Sequence, residues 1–220
     1  MKLAIVGYGK MGRMIEGLAP EYAFSVHARI DVNDPMESAD VAIEFSTPEA
    51  AVGNIEKLAA LGVPVVVGTT GWLGEMDRVR AAVEKHGTGL VWSPNFSIGV
   101  NVFSRLVKEA AKLLADEPQY GAWAWEIHHH TKKDAPSGTL IKLVKEMKDA
   151  GFERTIDVGS NRAGAHPGTH EVGFDSAADT ITLRHSARSR EGFARGALKA
   201  AQWVVGEKGV FEFSEVLFSR

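Results

Sequence analysis

Residues 3–12 read LAIVGYGKMG, a short apolar run that leads directly into a glycine-rich turn. The apolar run predicts a strand that is buried on both faces. Gly7, Gly9 and Gly12 fit the pattern G-x-G-x-x-G, and a helix can begin near Lys10. In this context the first glycine permits a tight turn, the second lets a pyrophosphate approach the backbone, and the third packs the helix on the strand. The stretch therefore predicts dinucleotide binding at a helix N-terminus, in preference to a glycine turn without a ligand.

Predicted strands and helices alternate over the first ninety residues. Short apolar or β-branched runs predict strands at residues 3–6, 24–30, 41–45, 63–67 and 90–92. Apolar residues at helical spacing predict helices from Lys10 to before Pro20, around residues 52–59 with Gly62 after the end, and over residues 75–86. Such alternation is typical of βαβ units with a parallel sheet. The first half therefore predicts an open α/β domain.

The pattern changes near Ser97. Apolar residues from Phe103 to Leu114 indicate a longer helix that Pro118 ends, and a strand at residues 122–128 and a helix at residues 138–149 follow. Residues 170–174 and 180–184 predict antiparallel strands, and residues 193–205 predict a final helix. This order indicates a second, α+β domain.

The composition is that of an ordinary globular protein. The 220 residues are 45% hydrophobic and 24% charged with a formal net charge of −3, so we expect no general attraction to nucleic acid or to an anionic membrane. No apolar run approaches the roughly 18 residues that span a bilayer, and the strand-like start makes a secretory signal unexpected. The absence of cysteine excludes disulfides, thiolate nucleophiles and cysteine-based zinc sites. We therefore expect a cytoplasmic protein.

An acidic residue follows the second predicted strand. Asp31 lies about twenty residues after the glycine turn, where a carboxylate accepts hydrogen bonds from an adenosine ribose. It favours NAD, because it would repel a 2′-phosphate. Arg29, Lys10 and Arg13 are nearby in sequence and would accommodate that phosphate. Use of both NADH and NADPH is therefore open.

Three loops rich in serine and threonine follow other predicted strands, at residues 45–48 (FSTP), 68–71 (GTTG) and 93–96 (SPNF). Ordinary turn chemistry accounts for any one of them. Loops at the carboxyl ends of parallel strands line the ligand crevice, so the three together favour a binding edge.

Residues 126–139 read EIHHHTKKDAPSGT and contain the densest cluster of potentially catalytic side chains in the chain. Ser137 is a natural N-cap, so the N–H groups of Gly138 and Thr139 would be free to bind a carboxylate. Imidazole and ammonium groups directly upstream would supply proton donors and positive charge. The segment predicts a site for a small acidic substrate, in preference to a solvated basic stretch.

A metal site is not expected in this segment. On a strand, His128 and His130 would point to one face and His129 to the other, and the helical H-E-x-x-H pattern is absent. The remaining histidines are isolated in sequence, so surface or hydrogen-bonded structural roles are expected for them: His27, His86, His166, His170 and His185.

These residues resemble the signature of the 4-hydroxy-tetrahydrodipicolinate reductase family, also called the dihydrodipicolinate reductases. The matching residues are Glu126–His129, Lys132 and Asp134–Thr139. Further matches follow in family order over essentially the whole chain: the glycine turn, Glu44–Ser46 with Pro48 and Glu49, Gly68–Gly71, Asn95–Ser97 with Gly99–Asn101, and Ser189–Arg190.

The resemblance implies a homotetrameric oxidoreductase that reduces a cyclic dicarboxylate with NADH or NADPH in diaminopimelate and lysine biosynthesis. It implies a Rossmann-type dinucleotide-binding domain at residues 1–98, completed by residues 191–220. It also implies a smaller substrate-binding and oligomerisation domain with an open mixed sheet at residues 99–190.

The resemblance also implies the roles of individual residues. By position, His128 would be the acid/base residue and Lys132 the proton donor. The substrate would be bound by His129, Ser137, Gly138 and Thr139. The cofactor would be lined by Gly7, Tyr8, Gly9, Lys10, Met11, Gly12, Asp31, Gly68, Thr69, Thr70, Ser93, Pro94, Asn95 and Phe96. Val32 stands where some members that use NADPH carry an arginine, which leaves the choice between NADH and NADPH open.

Two other functions remain open from the residues. One is a different nicotinamide dehydrogenase that acts on an aspartate-derived substrate, and the other is a dinucleotide-sensing protein without turnover. The proton donors beside the predicted anion site argue against a sensor, because a sensor needs none.

Overall fold

The structure is a computed structural model that describes residues 1–32 and 34–219. The chain divides into two compact units. Unit 1 comprises Met1–Ile98 and Arg190–Arg220, and unit 2 comprises Gly99–Ser189. Among the described residues, each unit is built around its own β-sheet.

Unit 1 contains a six-stranded sheet in which every paired strand is parallel. Its strands are β1 (Lys2–Val6), β2 (Ser25–Ile30), β3 (Val41–Glu44), β4 (Val65–Val67), β5 (Gly89–Trp92) and β10 (Gly209–Glu212). The spatial order is β10-β5-β4-β3-β1-β2. The predicted parallel α/β sheet is confirmed.

Helices cover both faces of this sheet, because its central strands are apolar on both sides. Leu3 and Ile5 pack in one cluster with α1, α6 and α7, whereas Ala4 and Val6 pack in another with α2 and α3. These helices are α1 (Lys10–Leu18), α2 (Pro48–Ala60), α3 (Met76–His86), α6 (Glu191–Val204) and α7 (Phe213–Phe218). The arrangement places the loops after the strands along one edge of the sheet.

Unit 2 contains a mixed four-stranded sheet in the order β7-β6-β8-β9. Its strands are β6 (Gly121–His128), β7 (Ile156–Arg162), β8 (Thr169–Asp175) and β9 (Thr180–Ser186). Strands β6 and β7 are parallel and the other pairs are antiparallel. Two helices, α4 (Ile98–Leu113) and α5 (Gly138–Asp149), pack their apolar residues on one face. The expected α+β unit with a mixed sheet is confirmed.

The opposite face of this sheet carries two half-buried tryptophans. A Cβ on Gly173 would lie 2.2 Å from the ring of Trp123, and one on Gly159 would lie 2.9 Å from the ring of Trp125. The glycines thus let both rings pack directly on the neighbouring strands.

Several elements of the structure differ from the sequence-based predictions. The helix predicted at residues 193–205 is not the final one, because β10 and α7 follow it, and β10 extends the sheet of unit 1 beside β5. Strand β7 was also missed, since its sequence IDVGSNR lacks a regular apolar alternation. Within the described part of the chain, no helix combines the length and apolar character that crossing a membrane demands.

Candidate functional site

A cleft of about 460 Å³ opens in unit 1 where β1, β3 and β4 end. Its walls are the loops that follow these strands, together with one residue from the start of the C-terminal segment. The lining residues are Gly9, Lys10, Met11, Phe45, Ser46, Pro48, Gly68, Thr69, Thr70 and Arg190. Two of the three predicted serine- and threonine-rich loops, 45–48 and 68–71, therefore meet the glycine turn.

The glycine turn fits a pyrophosphate in its local geometry. Gly7 has a φ of +87°, and a Cβ on it would lie 2.2 Å from the carbonyl oxygen of Phe45. A Cβ on Gly12 would lie 2.6 Å from the carbonyl oxygen of Gly7, so helix and turn pack closely. A Cβ on Gly9 would meet nothing within 4 Å, and Gly9 caps α1 without a side-chain hydrogen bond. The helix N-terminus thus faces open space that suits an anion.

The buried carboxylate of Glu44 stabilises the loop at residues 45–48 through hydrogen bonds. Glu44 is fully buried at the end of β3, and its side chain accepts hydrogen bonds from the backbone N–H and the hydroxyl of Ser46. The N–H of Ser46 also donates to Oγ1 of Thr69 at 2.8 Å, which ties the two loops together. Burial raises the pKa of the Glu44 carboxyl, against the effect of these hydrogen bonds.

Asp31 is exposed after β2, and its carboxylate accepts a hydrogen bond from the N–H of Val32. Nearby, the guanidinium of Arg29 and the hydroxyl of Tyr8 both donate to the carboxylate of Glu16. The hydrogen bond from Arg29, followed by that from Tyr8, lowers the pKa of Glu16. The positive charge of Arg29 is therefore paired within unit 1.

The loop at residues 93–96 follows β5 but is absent from the described lining of the cleft. Ser93 and Asn95 hydrogen-bond one another, with the Ser93 hydroxyl donating to the Asn95 carbonyl oxygen at 2.9 Å. The ring of Phe96 is buried between those of Phe45 and Phe213. Phe96 therefore offers a ligand its backbone rather than its ring.

In unit 2, helix α5 begins as the sequence predicts. Ser137 is the N-cap, and its Oγ accepts a hydrogen bond from the N–H of Leu140 at 3.2 Å. The carboxylate of Asp134, three residues before Ser137, accepts a hydrogen bond from Nζ of Lys132 at 2.9 Å. The hydrogen bond from Lys132 is the main cause of the lowered pKa of Asp134. A carboxylate of the chain itself is thus held by the ammonium group close to the helix start.

Glu126 lies fully buried beside this helix start and accepts an unusual number of hydrogen bonds. Its Oε1 accepts from the N–H of Ser137 at 2.8 Å, from Oγ of Ser160 at 2.7 Å and from Nη2 of Arg162 at 2.9 Å. Its Oε2 accepts from Oγ of Ser137. Burial alone would raise the pKa of Glu126, but these hydrogen bonds lower it to about 2. It is a carboxylate at neutral pH.

Two imidazoles face the same carboxylate. Nε2 of His128 lies 3.3 Å and Nε2 of His170 3.2 Å from Oε2 of Glu126, and the two nitrogens are 3.4 Å apart. Burial, and then the neighbouring His128, lowers the pKa of His170 to about 4. Burial also lowers the pKa of His128, although the charge of Glu126 opposes this. Both rings are largely neutral at pH 7.

The two histidines that follow leave the strand. Strand β6 ends at His128, so the prediction that His130 shares its face is wrong. The backbone N–H of His130 donates to the carbonyl oxygen of Gly164, and its ring Nδ1 lies 2.8 Å from the same oxygen. Nδ1 of His129 lies 2.7 Å from Oγ1 of Thr131.

Glu126, His128 and His170 are also spaced so that they could hold a metal ion. The structure favours a hydrogen-bonded network instead. Arg162 already pairs with this carboxylate and would repel a cation, and the hydroxyl of Ser137 donates to the oxygen that would bind it. The expectation that the site takes no metal remains a prediction.

Comparison with known proteins gives the same family for both parts of the chain. The family model described as "Dihydrodipicolinate reductase, C-terminus" matches residues 99–217, and "Dihydrodipicolinate reductase, N-terminus" matches residues 21–96. The chain belongs to the dihydrodipicolinate reductase family. The resemblance found in the sequence is confirmed, and with it the class of oxidoreductase.

Curated relatives of this reductase match over almost their whole length. The 4-hydroxy-tetrahydrodipicolinate reductase of Christiangramia forsetii is 36% identical, with 99% of this chain and 98% of the relative covered. That of Archaeoglobus fulgidus is 35% identical, with 99% and 100% covered. The solved structure "Dipicolinate bound Dihydrodipicolinate reductase from Paenisporosarcina sp. TG-14" superimposes with a TM-score of 0.83 at 21% identity, covering 96% of this chain and 97% of that one. This last match confirms the expected fold.

The sheet of unit 2 brings together residues that are remote in the reductase sequence. The register pairs Glu126 with His170 across β6 and β8, and pairs Glu126 with Ser160 across β6 and β7. His128 is paired with Arg162 in the same way. Sequence reasoning expected a structural role for His170 and gave none to Ser160 or Arg162, because strand register was not available to it.

Proposed function

We propose that this reductase catalyses the NADH- or NADPH-dependent reduction of 4-hydroxy-tetrahydrodipicolinate to tetrahydrodipicolinate, a step of diaminopimelate and lysine biosynthesis. The names of its curated relatives support this reaction. Atoms balance when the substrate gains a hydride and a proton and loses its hydroxyl group as water. The substrate is a small cyclic dicarboxylate, and neither nucleic acid nor a membrane takes part.

The binding roles follow the predicted domains, whose boundary differs from that of the two units at Arg190. Residues 1–98 with 191–220 bind the dinucleotide, and residues 99–190 bind the substrate and form contacts between subunits. The cofactor residues are Gly7, Tyr8, Gly9, Lys10, Met11, Gly12, Asp31, Gly68, Thr69, Thr70, Ser93, Pro94, Asn95 and Phe96. His129, Ser137, Gly138 and Thr139 bind the substrate, and His128 and Lys132 are catalytic.

The position of Asp134 is the main structural support for this proposal. Its carboxylate accepts a hydrogen bond from Lys132, and the Gly138 backbone also helps to lower its pKa, so a carboxylate of the chain already interacts with groups expected to hold a substrate carboxylate. A Cβ on Gly138 would meet nothing within 4 Å, so there is room beside the helix start. A carboxylate of the substrate can exchange with that of Asp134 at this place.

The proton chemistry is assigned to the residues beside this helix start. A reduced nicotinamide supplies a hydride when bound. Lys132 donates a proton from Nζ to the ring system that receives the electrons, and His128 acts as an acid/base group beside it. The helix start and Lys132 hold the carboxylates, which orients the ring for reaction.

A coupled assay tests the function. The product of dihydrodipicolinate synthase is supplied with NADH and NADPH in parallel, and oxidation is followed by absorbance. The proposal expects substrate-dependent oxidation and tetrahydrodipicolinate as product. Binding of NADH without oxidation across a substrate panel would instead indicate a sensor, and oxidation only with other aspartate-derived substrates would indicate a different dehydrogenase.

The choice of cofactor depends on charge near Asp31. Asp31 repels a 2′-phosphate, and Glu16 neutralises Arg29, so we expect NADH to be preferred and NADPH to be accepted. Replacement of Glu16 by Gln frees Arg29 and should raise the ratio of kcat/KM for NADPH to that for NADH by roughly fivefold. Glu21→Gln is the matched control, because Glu21 pairs with Arg195 instead. An unchanged ratio in Glu16→Gln would remove Arg29 from cofactor selection.

The open face of the sheet in unit 2 supports assembly into a homotetramer. Trp123 and Trp125 place large aromatic surfaces there, and such surfaces are favoured at interfaces. Light scattering should give four times the mass of the single chain. Trp125→Lys should shift the protein to smaller species, whereas Leu113→Lys, on exposed α4, should not. A tetramer that persists in Trp125→Lys would place the interface elsewhere.

We also assign the enzyme to the cytoplasm. A chain without cysteine gains no stability from an oxidising compartment, which supports this assignment.

A further inference from the structure

Glu126 is fully buried and touches both parts of the substrate site proposed in unit 2. One part is the start of α5, and the other is the imidazole of His128. Neither the motif resemblance nor the proposed mechanism gives this carboxylate a role. A buried charge needs several partners to be stable, and Glu126 has them in Ser137, Ser160 and Arg162.

The contacts with Ser137 fix where α5 begins. Both the N–H and the hydroxyl of Ser137 donate to Glu126, and the same Oγ accepts from the N–H of Leu140. Because Ser137 is the N-cap, its position determines where the N–H groups of Gly138 and Thr139 point. The carboxylate of Glu126 thus holds the carboxylate-binding end of the helix against β6.

The contact with His128 bears on which ring nitrogen exchanges a proton. Nε2 of His128 faces Oε2 of Glu126 at 3.3 Å and Nε2 of His170 at 3.4 Å. The hydrogen bond of Nε2 is with Nε2 of His170, but the negative charge of Glu126 beside it stabilises a proton on Nε2 of His128. In the neutral ring, Nδ1 then carries the lone pair.

Gly168 lies against the Nδ1 edge of the His128 ring and, without a side chain, leaves room there. A Cβ on Gly168 would lie 3.0 Å from Nδ1 and 2.8 Å from Cε1 of His128. Any side chain at this position would crowd that edge of the imidazole. Because Nε2 faces Glu126 and His170, Nδ1 is the ring nitrogen left to meet a ligand.

We propose that Glu126 is a positioning residue that holds the start of α5 and the imidazole of His128 in one geometry, with Nδ1 of His128 as the atom that exchanges a proton with the substrate. His170 completes the arrangement by covering the Nε2 side of His128 and remaining neutral. This inference rests on the proposed function for the identity of the substrate, but the tautomer of His128 is a property of the free protein.

The first test reads the tautomer directly. Nitrogen-15 NMR of the histidine rings, assigned with His128→Gln and His170→Gln, should show the Nε2–H tautomer for His128 in the wild-type protein. In Glu126→Gln the preference should weaken, because the negative charge beside Nε2 is lost. A wild-type His128 with its proton on Nδ1 would overturn the proposal, and this spectrum is informative even if the variant does not fold.

The second test is the pH profile. Groups that face His128 are Glu126, His170, Lys132 and Arg162, and of these only Glu126 raises the pKa of His128. In Glu126→Gln that pKa should fall further, so the acidic decline of kcat/KM, where Nδ1 becomes protonated, should move to lower pH. We also expect kcat/KM to fall by about 10²-fold, as for loss of an acid/base group. An unchanged profile in a folded variant would overturn the proposal.

Glu171→Gln is the matched control. Glu171 lies on β8 of the same sheet, paired in register with Trp125 on the opposite face, and its partner is Arg184. The control should keep wild-type kcat/KM and the wild-type tautomer of His128. A wild-type protein that does not reduce the substrate would contradict the proposed function, whereas the tautomer would still decide the role of Glu126.

Discussion

Replacement of Lys132 by Ala is expected to lower kcat by about 10²- to 10⁴-fold while the Kd for NADH stays nearly unchanged. Nζ of Lys132 lies 2.9 Å from the carboxylate of Asp134 beside the start of α5, and the proposed function makes it the proton donor. The residues that bind the dinucleotide belong to unit 1, so the affinity of the protein for NADH should not depend on the Lys132 side chain. Steady-state kinetics and NADH fluorescence titration measure the two effects separately.

Two further variants separate proton donation from charge. Lys132→Arg keeps the positive charge but releases no proton near neutral pH, so KM should stay near the wild-type value while kcat falls as in Lys132→Ala. Lys133→Ala replaces the adjacent, exposed lysine and should retain wild-type kinetics. Wild-type kcat in Lys132→Ala would remove this residue from the mechanism.

Replacement of Gly9 by Val is expected to weaken NADH binding by about 10- to 100-fold without lowering the Tm. A side chain at Gly9 meets no atom of the protein within 4 Å and therefore fills the open space at the start of α1. Loss of one charged hydrogen bond to a phosphate costs about 1.5–3 kcal/mol, which corresponds to that range of affinity.

The control for this variant is Gly17→Val, at another position in α1 where a Cβ meets nothing within 4 Å. Gly17 is outside the described lining of the cleft, so NADH affinity should be retained. Equal NADH affinity in Gly9→Val and the wild type would show that the phosphates bind elsewhere. Isothermal titration calorimetry and thermal unfolding give the two measurements.

The fold of unit 1 was predictable because local patterns determine most of it. The run before Gly7 and the glycines of the turn specify a strand, a turn and a helix within ten residues. Strand β10 was not predicted, because Gly209–Glu212 is short and forms a strand by pairing with β5. The sequence shows local periodicity but not which distant strand a short segment will join.

The candidate site in unit 2 was predictable in part for the same reason. Ser137 and the start of α5 follow from N-cap chemistry, and the structure has the helix at the predicted residues. The surroundings of Glu126 were not predictable, because His170 and Arg162 reach it through strand register. Strand β7 was also obscured because its inward positions include Ser160 and Arg162, which bind a carboxylate instead of filling an apolar core.

In the proposed reaction a hydride passes from the dinucleotide to the dicarboxylate ring and becomes part of the product. The most direct measurement supplies NADH carrying two deuterium atoms at C4 of the nicotinamide and analyses the tetrahydrodipicolinate by mass spectrometry. We predict one deuterium per product molecule and one NADH consumed for each. Product without deuterium, or NADH oxidised without labelled product, would contradict the account.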